Sequence, residues 1–485
     1  MTLNARQITF AAAGIVLPVV VLKYLGSIAD VAMLGSIGVL IAYWIVELNW
    51  TKFLFLAAVA TYLFSIEVPL FGGSSASLPG EPLVALLAAA SLFEAYKQRP
   101  FVRQLLKEPI AWASLLLIAS WVLSAATSTM PKVSIKYVAI NVVFMSAGLL
   151  VFPILWARSE FSLKSFISIT WPICLFFALY GVANLIPYGF NPGAAALIGQ
   201  PFLKDHTVFS ATFSLFVPLL LLWKKYNLSM KKWESLLPIS GVFMLLTLFI
   251  SSSRAAWLAL ILAGVFYAFI VLGGTLRLLA ATVVVAGIAL YLNTDRINES
   301  LQVNPYSSTE VSGSLETQVL SVGNVNSDVS NIERLNRWKC AVRMGLDKPI
   351  SGFGPGTYQF EYIPYQRNAD MTYISVTSPF TKILGRGGSA HSEYLLLLAE
   401  SGFIGLLAWI LLQLAALLTF FKVWNRNVST DQRYMALAVY LSIFTFSIHS
   451  LFNNYLNTVQ FGFTWWLLVG ALMYMSFAFK PENHD

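Results

Sequence analysis

The sequence predicts an all-α polytopic membrane protein with about 12–14 transmembrane helices and one large, partly helical loop between the eleventh and twelfth. Three observations carry that prediction. The 485 residues are 57% hydrophobic and only 11% charged, with a mean hydropathy of +0.70, whereas a soluble domain carries about a quarter charged residues. Apolar runs of spanning length recur along the chain. A single long hydrophilic stretch, residues 294–390, interrupts them. This arithmetic excludes a water-soluble enzyme, a disordered chain and a nucleic-acid binder that relies on a broad basic surface. The net charge of +8 does not imply a polyanionic partner, because membrane proteins concentrate lysine and arginine in cytoplasmic loops. Two cysteines, Cys174 in an apolar run and Cys340 in a polar loop, supply neither a disulfide framework nor a thiolate metal site.

About fourteen apolar runs meet the length expected of a span. They lie near 8–24, 28–47, 52–71, 80–96, 109–128, 134–156, 163–188, 206–223, 235–251, 255–273, 276–293, 394–421, 434–452 and 459–479. The first run follows a single basic residue, Arg6, and reads as a retained span rather than a signal peptide. Three organisational blocks follow: spans one to eleven over 1–293, a loop or cap over 294–390, and spans twelve to fourteen with a short tail over 391–485.

Basic residues set the expected orientation. Lys97, Arg99, Arg103 and Lys107 follow span four, Lys224, Lys225, Lys231 and Lys232 follow span eight, and Lys422, Arg426 and Arg433 follow span twelve. With Arg6 and Lys480 they mark one side as cytoplasmic, which places both termini inside and the 294–390 loop outside. Residues 294–330 hold one basic residue against five acids and read as a lead-in. Residues 331–390 hold eight basic residues against four acids, together with Trp338 and many aromatics. Apolar spacing from Ile332 to Leu346 predicts a short amphipathic helix, ended by the turn Gly352-Phe353-Gly354-Pro355-Gly356. The predicted unit is a small basic cap on the outer face.

Ionisable groups at the outer ends of spans need a reason, because charge near hydrocarbon is expensive. Arg254 interrupts an apolar stretch at Ser251-Ser252-Ser253-Arg254. It is either a snorkelling cap of a helical hairpin or a guanidinium fork for an anion. Lys132 and Lys136 share a helix face, suited to lipid headgroups or to phosphate. Asp205-His206 opens span eight, and Glu67 lies nearby as a partner for one of these cations. His449 and Asn453-Asn454 end span thirteen, where hydrogen bonding between helices is the plain explanation. Arg334 and Arg337 share a face of the loop helix, either a solvated face or a phosphate clamp, while Lys339 points elsewhere. His391 lies at the water boundary, where a histidine suits acid–base work. Glu400, nine residues on, falls on the opposite side of a continuous helix and is expected to pair with a neighbouring span. Gly402 and Gly405 are expected to permit close helix packing.

This set is rich in arginine, lysine and histidine and poor in carboxylates. No Asp-x-Asp pair is present to hold a divalent metal against a phosphate donor, and no clustered His/Cys set suits zinc. Neither a nucleophile elbow, a Walker loop nor a dinucleotide fingerprint is present. What remains is a metal-independent, cofactor-free reaction on a phosphorylated lipid, with arginine stabilising a leaving phosphate and histidine activating a hydroxyl.

The stretch His391-Ser392-Glu393-Tyr394-Leu395, followed by Glu400-Ser401-Gly402-Phe403-Ile404-Gly405, resembles the signature of the O-antigen ligase and O-antigen polymerase superfamily. Ser253-Arg254-Ala255-Ala256, Asp205-His206, and Arg334/Arg337 ahead of the glycine turn are similar to further elements of that family. The resemblance covers about 200–470, and residues 1–130 match only as hydrophobic spans. The chain departs from the usual twelve-span pattern by two.

The resemblance implies a glycosyltransferase of the bacterial inner membrane, with the large loop periplasmic. Its donor would be a glycan on undecaprenyl pyrophosphate. Its acceptor would be a hydroxyl of lipid A core, of another glycan or of a protein, with inversion at the anomeric carbon. Arg254 would contact the pyrophosphate, Arg337 or Arg334 would do so from the cap, and His391 would orient or deprotonate the acceptor. Lys136 is added here as a further phosphate contact, with His206, Asp205 and Glu400 as secondary or acceptor-side residues. Membrane lipids are expected partners and nucleic acid is not. The rival of a different class is a transporter or flippase for a lipid-linked glycan, which would place polar or broken helices near the midplane of repeated halves.

Overall fold

The computed structural model of the chain describes residues 28–69, 75–226, 232–294, 329–371 and 388–479. The apolar run at 8–24, nearly all of the 294–330 lead-in, and Arg6, Lys231 and Lys480 lie outside the described residues.

Backbone N–H and C=O groups in lipid must be satisfied within the segment, which favours helices throughout. The main ones are α1 Ile28–Glu47, α2 Thr51–Thr61, α3 Gly80–Lys97, α4 Arg99–Leu105, α5 Pro109–Ala126 and α6 Pro131–Ala157. They continue with α7 Leu163–Leu185, α8 His206–Leu221, α9 Leu236–Ile250, α10 Arg254–Val271 and α11 Leu276–Leu292. The last four are α12 Val329–Asp347, α13 Glu393–Trp424, α14 Thr430–His449 and α15 Val459–Ala478. Among the described residues the only sheet is an antiparallel hairpin, β1 Ile66–Pro69 with β2 Ser75–Leu78. The chain is an all-α, multi-pass membrane protein.

Six helices, α5, α6, the stretch Leu163–Tyr188 that contains α7, α10, α13 and α15, are long and apolar enough to cross a membrane. Gly35–Glu47 and Thr51–Phe64 bend by 116° at their junction and make a seventh if counted as one span. The described residues therefore hold fewer full spans than the apolar runs suggest. Helix α3 carries Glu81, Glu94 and Lys97, and α14 is diluted by Thr, Ser and Tyr. Helices α8, α9 and Leu276–Ala289 are apolar but shorter than a bilayer crossing.

The core centres on α15, whose Phe461, Phe463, Trp465 and Trp466 are fully buried or nearly so. Helix α6 crosses it backbone to backbone, because any Cβ on Gly148 or Gly470 would collide with the opposite main chain. A π-helical turn at Ala147–Val151 sits just ahead of Pro153, which has no N–H to give to the preceding turn. At the end of the bundle remote from His391, Lys422 pairs with Glu108 at 3.0 Å, Lys97 with Glu47 at 3.0 Å and Arg158 with the buried Glu94. Cys174 and Cys340 are both free and buried.

Candidate functional site

The predicted loop helix forms as α12, three residues longer at its start than the apolar spacing indicates. Its apolar face, Cys340, Ala341 and Met344, packs with Phe353, Tyr358, Tyr362 and Ala390 on Leu396 and Ala399 of α13. This small core is separate from that of the bundle. Lys339 and Arg343 both bind Asp370, each at 2.6 Å. Those hydrogen bonds, Arg343 first, hold the Asp370 carboxyl below its usual range. These two cations therefore tie the cap together.

The glycine turn docks into a break in α13. Gly402 has φ +66 inside the helix, and a Cβ there would lie 2.5 Å from the carbonyl oxygens of Pro349 and Ile350. Breaking a helix frees backbone groups that water cannot reach at this depth. The cap supplies their partners. Phe353 N donates to Ala399 O at 3.1 Å, Gly354 N to Glu400 O at 2.9 Å, and Phe403 N to Pro349 O at 2.7 Å. The Glu400 carboxylate accepts Gly356 N at 2.7 Å and Tyr358 N at 2.9 Å. The Glu400 carboxylate thus pairs with cap backbone rather than with a neighbouring span, and Gly402 serves the cap junction rather than helix packing. The reason is the left-handed residue, which turns a continuous helix face into a docking slot.

His391 sits immediately before α13 with φ +51, a left-handed conformation. Trp338 donates its indole N–H to the His391 carbonyl at 3.2 Å, and His391 N donates to Ser389 Oγ at 3.3 Å. Ser392 then caps α13 through Leu395 N, and Glu393 N donates to Ser450 O at 2.9 Å. The Glu393 carboxylate, 1% exposed, accepts Tyr455 N at 2.9 Å and Leu456 N at 3.0 Å. The residues flanking His391 are therefore fastened to the cap and to the loop after α14.

Arginines crowd this point. The Arg337 guanidinium pairs with Glu333 at 2.8 Å and stacks 4.2 Å from the Tyr362 ring. It also lies beside Gly388, three residues before His391. Burial, then the charges of Arg334 and Arg337, push the His391 imidazole down to about 3, with Asp205 pulling weakly the other way. Arg334 also acts electrostatically on His206, His449 and Tyr455. Asp205 caps α8 through Thr207 N at 2.8 Å and Val208 N at 3.0 Å. Burial alone would raise its carboxyl, but hydrogen bonds from the Thr207 hydroxyl and from backbone N–H groups hold it below the usual range. His206 Nδ1 and His449 Nδ1 are buried without a hydrogen-bond partner among the described residues.

The structure thus gathers Arg334, Arg337, His391, His206 and Asp205 around the junction of α12, α8 and the start of α13. Arg254 begins α10 directly after a turn with Ser252 at φ +59. That turn touches α8 one helical turn from His206, through Ser251 Oγ and Ser210 Oγ at 2.7 Å. Lys136 lies on the other flank of the cap, near Glu81, while its neighbour Tyr137 packs under Gly356. Glu67 hydrogen-bonds Ser75 across the hairpin rather than pairing with a cation. The fold also brings Trp338, Glu393 and Tyr455 to this point, and local sequence pattern assigns Tyr455 no role there. The one usable signal was Glu393 itself, seven residues before Glu400 and so on the same helix face.

Residues 239–410 match the family model described as O-antigen ligase. That segment is similar to the O-antigen ligase family. The O-antigen ligase segment starts in α9 and ends in α13, and so contains Arg254, α12, the glycine turn, His391, Glu400 and Gly402. His206, Asp205, α14 and α15 lie outside it. No curated protein matches the chain. The likeness of that segment to the O-antigen ligase family points to a membrane glycosyltransferase-like function.

Proposed function

We propose that the protein is a metal-independent, inverting glycosyltransferase. It moves a glycan from undecaprenyl pyrophosphate to an acceptor hydroxyl at the periplasmic face of the bacterial inner membrane, as an O-antigen ligase acting on lipid A core or as a polysaccharide polymerase. Both termini are cytoplasmic in this reading, and the cap over 294–390 is periplasmic. The observation that carries it is the docking of the arginine-bearing helix α12 at His391, with Arg337 beside Gly388 and Trp338 hydrogen-bonded to the His391 carbonyl, inside the segment that matches the O-antigen ligase model.

In the reaction the acceptor O–H gives its proton to a ring nitrogen of His391. The acceptor oxygen bonds to the anomeric carbon on the face opposite the pyrophosphate. The bond from that carbon to the pyrophosphate oxygen breaks, and undecaprenyl pyrophosphate leaves with the electron pair. Arg334 and Arg337, with Arg254 and Lys136 at the flanks, stabilise the charge that develops there. They do the work that a divalent cation does elsewhere.

An imidazole held near 3 is a poor base. Burial depresses it most, and the two arginines that depress it further are the groups an anionic donor would neutralise. Donor binding therefore raises the basicity of His391 and arms it only when the leaving group is in place.

The test is transfer by the purified protein from an undecaprenyl-pyrophosphate-linked glycan in the presence of EDTA, with each acceptor offered separately. Product of inverted configuration supports the reading, and the acceptor used names the branch. Loss of transfer on chelation, or movement of the donor across liposomes without transfer, contradicts it.

A further inference from the structure

We infer that Trp338 is a positioning residue that sets the pose of His391 from the cap helix. The inference rests on the role proposed for His391 and adds a part that the arginines do not supply.

His391 holds a left-handed backbone conformation, φ +51, that residues with a Cβ adopt only when their surroundings impose it. Two hydrogen bonds grip its peptide groups: Trp338 Nε1 on the carbonyl at 3.2 Å and Ser389 Oγ on the amide at 3.3 Å. The backbone of the next residue but one, Glu393, is fixed by Ser450. Of the two grips on His391 itself, the Trp338 grip is the one that comes from a separate element. Trp338 follows Arg337 directly and sits four residues after Arg334, on one rigid helix. Its ring packs against Phe452 at 6.1 Å between centroids, in the loop that also holds Ser450, Asn453 and Tyr455. The indole is thus wedged between the α14–α15 loop and the His391 peptide. A shift of α12 on its arginine side is transmitted to the carbonyl of His391 and hence to the direction of its imidazole. Donor grip and acceptor activation share one lever.

The experiment uses the full-length protein in lipid, with undecaprenyl-pyrophosphate-linked glycan as donor. Trp338→Phe keeps an aromatic ring beside Phe452 and removes the indole N–H together with part of the ring. The expected result is a fall in kcat of about tenfold, with donor KM changed less than about twofold and thermal unfolding unmoved. Ser389→Ala, which loosens the amide side without touching α12, lowers kcat in the same direction and carries the test if Trp338→Phe fails to fold. Unchanged kcat in the folded variants overturns the inference. So does a rise in donor KM at constant kcat, which would make Trp338 a mere support of the arginines. His391→Ala is run beside them: wild-type transfer by that variant would sink the reading of His391 itself, a failure distinct from that of Trp338.

Discussion

The carboxylate of Glu400 receives the backbone N–H of Tyr358 at 2.9 Å, so a buried acid of a long apolar helix is spent on fastening the cap. Its second oxygen takes Gly356 N at 2.7 Å, and its carbonyl takes Gly354 N and the Ser124 hydroxyl. One residue therefore joins α13, the glycine turn and α5.

Removing that carboxylate leaves two buried N–H groups unpaired, each costing about 1–3 kcal/mol. Glu400→Ala is expected to unfold at clearly lower temperature and to release the cap to proteolysis. Glu400→Gln, which keeps one acceptor oxygen, falls between the two. Thermal unfolding in detergent with a parallel protease time course checks this.

Gly402→Ala places a methyl group against the Pro349 and Ile350 carbonyl oxygens, 2.5 Å away, at a φ of +66. The strain and the clash together cost at least about 1–3 kcal/mol. Gly264→Ala, on α10 with open space for a Cβ and no left-handed backbone, serves as the comparison. Folded yield and unfolding temperature of the two variants should separate, with Gly402→Ala much the worse.

His391 gives a pH prediction with a definite sign. Its folded value, about 3, lies below the ordinary value of 6.5, so the unfolded chain binds the extra proton first. Stability on this account is full above pH 6.5 and declines as pH falls from there towards 3. The free enzyme keeps His391 neutral through that range, so the acid limb of kcat/KM assigned to it lies near 3. Donor binding raises the value, so the acid limb of kcat lies at higher pH than that of kcat/KM. Arg334→Ala removes one depressing charge and moves the kcat/KM limb upward. Coincident limbs in the wild type would contradict the proposed arming by the donor.

Arg337 combines the Glu333 pair with stacking on Tyr362 at 4.2 Å, a geometry that needs a planar fork. Arg337→Lys keeps the charge and loses both the fork and the stack. Donor KM should rise about tenfold or more, the scale of one lost charge-assisted contact of about 1.5–3 kcal/mol. Titration with undecaprenyl pyrophosphate alone gives the same comparison without chemistry.

Much of this architecture was readable from residues alone, for identifiable reasons. Length and hydropathy locate spans such as Pro109–Ala126 and Val459–Ala478 within a few residues, because lipid imposes one solution on a long apolar run. The amphipathic period of α12 and the glycine turn were equally visible. Helices α3 and α14 carry the charges and hydroxyls of the interior, so a screen by length and composition leaves them out of the candidate spans among the described residues. The partner of Glu400 was not legible because nothing local in Glu-Ser-Gly-Phe announces the left-handed Gly402 that opens a slot for the cap. The gathering of His206 and His449 about Arg334 joins residues far apart in sequence, which no local pattern encodes.

The central claim is that His391, beside the helix that carries Arg334 and Arg337, activates the acceptor. The most direct measurement is the rate of glycan transfer by His391→Ala in lipid with EDTA present, alongside its affinity for undecaprenyl pyrophosphate. The account predicts a loss of at least about a hundredfold in kcat with donor affinity retained. Transfer at the wild-type rate would show that the acceptor is activated elsewhere.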